Sequence, residues 1–95
     1  MRELTEIRKE IDDIDKEIVS LFQRRMEASE DVAIYKIHNG KEIYDPKREQ
    51  EKLDSLSAYG RDEQEKLEIT ELFECIMSIS RKKQYRIRDQ KDIKE

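Results

Sequence analysis

The chain has 95 residues, 35% hydrophobic and 46% charged, which suffices for one domain with a lean core and not for several. Twenty Lys and Arg against 24 Asp and Glu leave a net charge of −4 with the two signs interspersed, and this argues against wholesale nucleic-acid binding. The start Met1-Arg2-Glu3-Leu4-Thr5-Glu6 has no apolar leader core and no stretch approaches eighteen apolar residues, so neither export nor membrane insertion is expected. The lone Cys75 cannot build a disulfide framework, which fits a reducing cytoplasm.

The first predicted helix spans about residues 5–39. Ile7, Ile11, Ile14, Ile18, Leu21, Ala28, Val32 and Tyr35 recur at steps of four and three with neither Pro nor Gly among them. Thr5 is the expected N-cap, although Leu4 suggests a start a residue or two earlier, and Asn39-Gly40 is the expected stop. The step after Leu21 falls on Arg25, in the middle of the apolar stripe at about 100° per residue, and Lys36 lies roughly 20° from the same line. A helix of this length is roughly 45 Å long, whereas a compact globule of this size has a radius of gyration of only about 12 Å. The helix therefore overhangs any single-chain bundle, and its stripe calls for a second copy of the chain.

The second predicted helix, about 46–59, opens at Asp45-Pro46, a preferred N-cap followed by a preferred first helical residue. Its inward line is Glu49, Leu53 and Leu56, and Tyr59-Gly60 ends it. Asp62 caps the third, about 62–87, which places Ile69, Phe73, Ile76, Met77, Ser80, Gln84 and Ile87 within about 40 to 60° of one line. After Ile87 the sequence is charged on every side, so the end is expected to fray.

Each helix thus sets polar groups where its own periodicity calls for apolar ones: Arg25 and Lys36, then Glu49, then Ser80 and Gln84. A buried polar group without a partner costs on the order of 1 to 3 kcal/mol, and an unpaired charge costs more. These groups either satisfy one another in a buried structural network or surround something polar. Distance arithmetic favours a ligand, because Arg25 and Lys36 lie roughly 16 Å apart along the axis and their long side chains can lean inward on a small molecule. Arg48, next to Glu49, can join them, and the positive balance suits a small carboxylate compound. Arg8 lies roughly 25 Å from Arg25 and about 42 Å from Lys36, so it cannot share their ligand in the same chain. In an antiparallel pairing of two first helices it comes alongside the later half of the other; read alone, it is a surface arginine.

Other chemistries find no support. There is no Gly-rich phosphate loop, no paired His or Cys for a metal, and no Ser-His-Asp grouping that the single His38 could complete. His38 reads as a solvated helix end and Cys75 as packing or surface.

The sequence resembles the all-helical chorismate mutases over essentially its whole length. The likeness rests on Ile7-Arg8-Lys9-Glu10-Ile11-Asp12-Asp13-Ile14-Asp15, Arg24-Arg25, Lys36, Tyr44-Asp45-Pro46-Lys47-Arg48-Glu49, and Ser80 with Gln84. It implies an all-α intertwined homodimer of three-helix protomers whose shared active sites convert chorismate to prephenate in the biosynthesis of Phe and Tyr. The reaction is an intramolecular Claisen rearrangement, so no cofactor and no metal is implied. By the same likeness Arg25, and Arg8 from the other subunit, would hold the substrate carboxylates, and Lys36 and Gln84 would donate to the breaking ether oxygen. Glu49 would take the ring hydroxyl, with Asp45, Arg48 and Ser80 completing the lining.

The resemblance also covers related helical enzymes that eliminate pyruvate from isochorismate, although Glu49 for the ring hydroxyl favours the mutase. Nothing after the third helix reads as a dehydratase, dehydrogenase or synthase domain, so a stand-alone enzyme is expected. The reading from a different class is a non-catalytic helical dimerisation module whose interior polar groups fix register.

Overall fold

The computed structural model describes the backbone of residues 1–94 and side chains through Gln90; Glu95 lies outside the described residues. Three helices follow one another: α1 (Leu4–His38), α2 (Pro46–Ser57) and α3 (Glu63–Lys94). Both α1 and α2 pack against α3. The result is long and thin, 61 × 28 × 14 Å with a radius of gyration of 17.2 Å, because α1 runs 35 residues and residues 11–24 of it are all exposed.

Local chemistry fixes the helix ends. Glu3 holds the N-cap position of α1 without a side-chain hydrogen bond. The cap expected at Thr5 is thus not used, and Leu4 already has helical geometry. At the other end Gly40 has φ +62°. Its N–H donates to Ile37 O at 3.4 Å and that of Lys41 to Lys36 O at 2.8 Å, the paired bonds of a Schellman stop that need a left-handed residue.

Asp45 caps α2 by accepting from Arg48 N at 3.0 Å, and Pro46 follows as its first residue. The helix ends at Ser57, with Ala58 as C-cap, two residues before the expected end at Tyr59. Gly60 allows the tight turn that follows, since a Cβ there would stand 2.7 Å from Lys66 N. Asp62 accepts from Glu65 N at 2.7 Å, while the Glu65 carboxylate accepts from Arg61 N at 3.1 Å, a reciprocal arrangement akin to a capping box.

Helix α3 does not stop near Ile87 but continues to Lys94. Arg88-Asp89-Gln90-Lys91-Asp92 contains neither Gly nor Pro, and Arg, Gln and Lys are good helix formers, so charge alone gives no reason to stop.

The inward faces of α2 and α3 agree with the sequence pattern. Met77 and Gln84 are buried, and Ile69, Phe73, Ile76, Ser80 and Ile87 half-buried, as are Glu49, Leu53 and Leu56 on α2. The face of α1 differs. Its buried line is Met26, Ser29 and Ala33, whereas Ile11, Ile14, Ile18, Leu21, Val32 and Tyr35 of the expected stripe are all exposed. Small side chains at Ser29 and Ala33 let α3 approach α1 closely, and the stronger apolar stripe points elsewhere. Among the described residues the deeply buried apolar side chains are Met26, Ala33, Ile43 and Met77, a small core clustered at one end of the molecule. No helix is long and apolar enough to cross a membrane among the described residues.

Candidate active site

At that end the three helices and the α1–α2 loop line an open-sided cavity of about 160 Å³. Its lining includes Arg25 and Lys36 from α1, Asp45 from the loop, Arg48 and Glu49 from the first turn of α2, and Ser80 and Gln84 from α3. Seven of the eight residues singled out in the sequence therefore share one space. The eighth, Arg8, is exposed on the free half of α1 and does not line the cavity. Ile43, Lys52, Met77 and Arg81 complete the wall.

The placement of each side chain follows from local structure. Asp45 spends one carboxylate oxygen on capping α2, which orients that first turn and carries Arg48 and Glu49 to the rim. The Lys36 ammonium donates to the carbonyl of buried Ile43 at 2.8 Å, tying the loop to α1 and leaving two of its three N–H groups for other acceptors. Gln84 is 7% exposed and its side-chain nitrogen donates to Ser29 O at 3.0 Å and to Ser29 Oγ at 2.9 Å. Because a carbonyl can only accept, these bonds decide which end of the amide is nitrogen. Ser29 Oγ and Ser80 Oγ are also hydrogen-bonded, so two serines and one amide form a satisfied network between α1 and α3. No buried side-chain polar atom lacks a partner among the described residues.

The lining carries five cations, Arg25, Lys36, Arg48, Lys52 and Arg81, against the carboxylates of Asp45 and Glu49. Three formal positive charges are thus in excess in a partly enclosed space, where attraction for an anion is stronger than in bulk water. Among the described residues no carboxylate forms an ion pair with Arg25, Lys36, Arg48 or Lys52; Glu49 pairs with Arg81. The excess of donors and positive charge, with Glu49 as an acceptor, is the arrangement that suits a small anion bearing a hydroxyl or similar donor.

Three site residues were not legible in the sequence. Ser29 is a small polar residue outside the strong apolar stripe of α1. Lys52 and Arg81 read as solvated charge, Arg81 especially because it opens the run Arg81-Lys82-Lys83. Only their offsets carried a signal: Lys52 lies one turn after Arg48, and Arg81 one turn after Met77. Cys75 is exposed, away from the cavity. Among the described residues no three His, Cys, Asp or Glu side chains gather as a metal-binding group.

The fold and its cavity define a small all-helical domain that holds a polar, cation-rich site between its helices. The chain belongs to the family described as chorismate mutase type II, whose model matches residues 7–85. That match spans all three helices up to the residue after Gln84, so the whole cavity lies within it. Comparison with curated proteins and comparison with solved structures each return no match.

Proposed function

We propose that the protein is a chorismate mutase that converts chorismate to prephenate, in the cytoplasm and in the service of Phe and Tyr biosynthesis. The observation that carries this reading is the meeting of Arg25, Lys36, Glu49 and Gln84, from three helices, in one cavity with excess positive charge. Chorismate is a dianion with a ring hydroxyl, and the lining matches that pattern of charges and donors.

The rearrangement breaks an ether C–O bond and forms a C–C bond within one molecule. Folding the enolpyruvyl arm over the ring is a problem of orientation. In the proposed site Arg25 holds one carboxylate and Arg8 of the partner subunit the other, with Arg48 at the rim. Negative charge gathers on the ether oxygen as its bond to carbon lengthens. Lys36 and Gln84 donate to that atom, and donors fixed in advance stabilise the transition state more than the ground state. The Gln84 nitrogen donates to two Ser29 oxygens; with substrate bound, one N–H turns to the ether oxygen and the other keeps a Ser29 contact. Glu49 accepts from the ring hydroxyl, and Asp45 and Ser80 complete the lining.

The same reading includes an intertwined homodimer. Ile11, Ile14, Ile18 and Leu21 expose an apolar stripe on the first half of α1, and such a stripe favours a partner over water. Antiparallel pairing of two α1 helices brings Arg8 of each chain toward the cavity of the other.

The test is to incubate the purified protein with chorismate, follow the loss of its absorbance and identify the product. Prephenate is expected. Pyruvate release from isochorismate, supplied in a parallel incubation, with chorismate left unchanged would move the assignment to the lyases that share the fold. A bicyclic dicarboxylate mimic of the transition state should raise the melting temperature, by the equivalent of about 2.7 kcal/mol at a hundredfold excess over its Kd. Neither turnover nor a thermal shift would leave a non-catalytic dimerisation module.

A further inference from the structure

We propose that Arg81 is a positioning residue that pins the carboxylate of Glu49 and thereby sets the preference of the site for a substrate bearing a ring hydroxyl; this rests on the reading of the site given above. The pair joins α3 to α2 across the cavity wall, with the Arg81 guanidinium donating through Nη1 to Glu49 Oε1. The side chains are only 29% and 23% exposed, so the pair is partly shielded from water. Arg81 is held from its other side as well, its guanidinium lying 4.9 Å from the centroid of the Tyr44 ring. Tyr44 precedes the Asp45 cap of α2, and one turn before Arg81 the buried Met77 anchors α3 at the same wall.

Glu49 poses a problem that such a clamp solves. A bare carboxylate in a cavity built for a dianion repels its ligand, and a free glutamate has three rotatable bonds with which to turn away. Arg81 cancels that charge and engages Oε1. An ionised carboxylate offers about four lone-pair directions over its two oxygens, so Oε2 stays free to accept from a hydroxyl. The cations divide accordingly. Arg25, Lys36, Arg48 and Lys52 have no carboxylate partner among the described residues and remain for the substrate, while Arg81 is committed to the protein's own acid.

A strut that merely joined α2 to α3 would affect stability without changing what the site prefers. The full-length protein is therefore assayed with chorismate and with the analogue lacking the ring hydroxyl, as wild type, Arg81→Met, Arg81→Lys and Glu49→Gln. Arg81→Met should lower the preference for the hydroxylated substrate by roughly tenfold or more, raising KM by a larger factor than it lowers kcat. Arg81→Lys, which keeps the charge and loses the planar fork, should recover part of that preference. In a Glu49→Gln background Arg81→Met should change the preference no further, because its route of action is gone.

An unchanged preference in Arg81→Met or, if that variant does not fold, in Arg81→Gln would overturn the proposal and leave a structural strut. A wild type that turns over neither compound would instead overturn the reading of the site itself, and this proposal with it.

Discussion

The two halves of α1 obey the same periodicity and meet opposite fates. From Arg25 to Lys36 the helix turns Met26, Ser29 and Ala33 onto α3 and sets its cations into the cavity. From Leu4 to Phe22 it leaves Leu4, Ile11, Ile14, Ile18, Leu21 and Phe22 exposed. A shortage of apolar side chains does not explain the difference, because the bare half carries Leu4, Ile7, Ile11, Ile14, Ile18, Val19, Leu21 and Phe22. What separates them is who covers each face: the chain's own α3 over one half, and in the proposed dimer a second copy over the other. An apolar stripe read from a sequence does not say whether its own chain will cover it.

The largest effects should come from the packed half and from α3 opposite it. Lys36→Ala and Gln84→Ala each remove a donor aimed at the ether oxygen and should lower kcat by about two to three decades, or about 3 to 4 kcal/mol, with KM changing far less. Near-normal turnover in both, measured with saturating chorismate, would refute the mechanism. Because Gln84 is an amide, this donation should not titrate, and a rate that collapses between pH 5 and 8 along a carboxyl-like curve would contradict it.

A charge on the bare half probes the other side of the comparison. Ile14→Asp leaves every cavity residue intact, yet should turn dimer into monomer in sedimentation, since an unpaired carboxylate in an apolar interface costs several kcal/mol. Activity should fall with the dimer, because Arg8 of the partner subunit leaves with it. An Ile14→Asp protein that stays dimeric and fully active would show that this stripe is not the interface.

Smaller effects test the network between α1 and α3. Ser29→Ala removes one of the two acceptors for the Gln84 nitrogen and the partner of Ser80. It should cost roughly 1 to 3 kcal/mol of stability by thermal unfolding and lower kcat several-fold as the amide loses its orientation. Unchanged values for both would mean that the Ser29 carbonyl alone orients Gln84.

The smallest effect lies outside the site, at the start of α3. The Arg61 guanidinium, which donates to Glu65, holds that carboxyl below the ordinary glutamate range, and the Arg61 backbone N–H adds to the effect. With the folded value below the unfolded one, the contribution is present above the ordinary glutamate pKa, about 4.3, and is lost as pH falls through the folded value. Glu65→Gln should therefore lower the melting temperature slightly at pH 7 and leave it unaltered well below pH 4. A larger loss in acid than at neutrality would reverse the sign of this account.

Much of this was legible without coordinates because certain residues have few uses. Asp45-Pro46 and Asp62 announce helix starts, Asn39-Gly40 announces a stop, and a polar residue on an apolar line stands out against its neighbours, as Arg25, Lys36, Glu49, Ser80 and Gln84 do. Periodicity on one helix cannot say which helix will cover it, so the buried line Met26-Ser29-Ala33 was missed in favour of the stronger stripe. Nor can it distinguish a charge that faces water from one that meets a carboxylate on another helix, which hid Arg81. The extra turns of α3 beyond Ile87 were missed for a related reason: an all-charged segment gives no amphipathic signal, yet nothing in it breaks a helix.

The central claim is that one half of α1 serves its own cavity and the other half serves that of a second molecule. Mixing two separately impaired variants, Arg8→Ala and Lys36→Ala, tests it directly. If subunits exchange freely, half of the dimers are mixed, and each mixed dimer holds one site with both Arg8 and Lys36 intact. The mixture should then recover about a quarter of wild-type activity, as the two-fold symmetry of a shared-site dimer requires. Activity that stays at the average of the two parents after exchange would contradict the claim and confine each site to one chain.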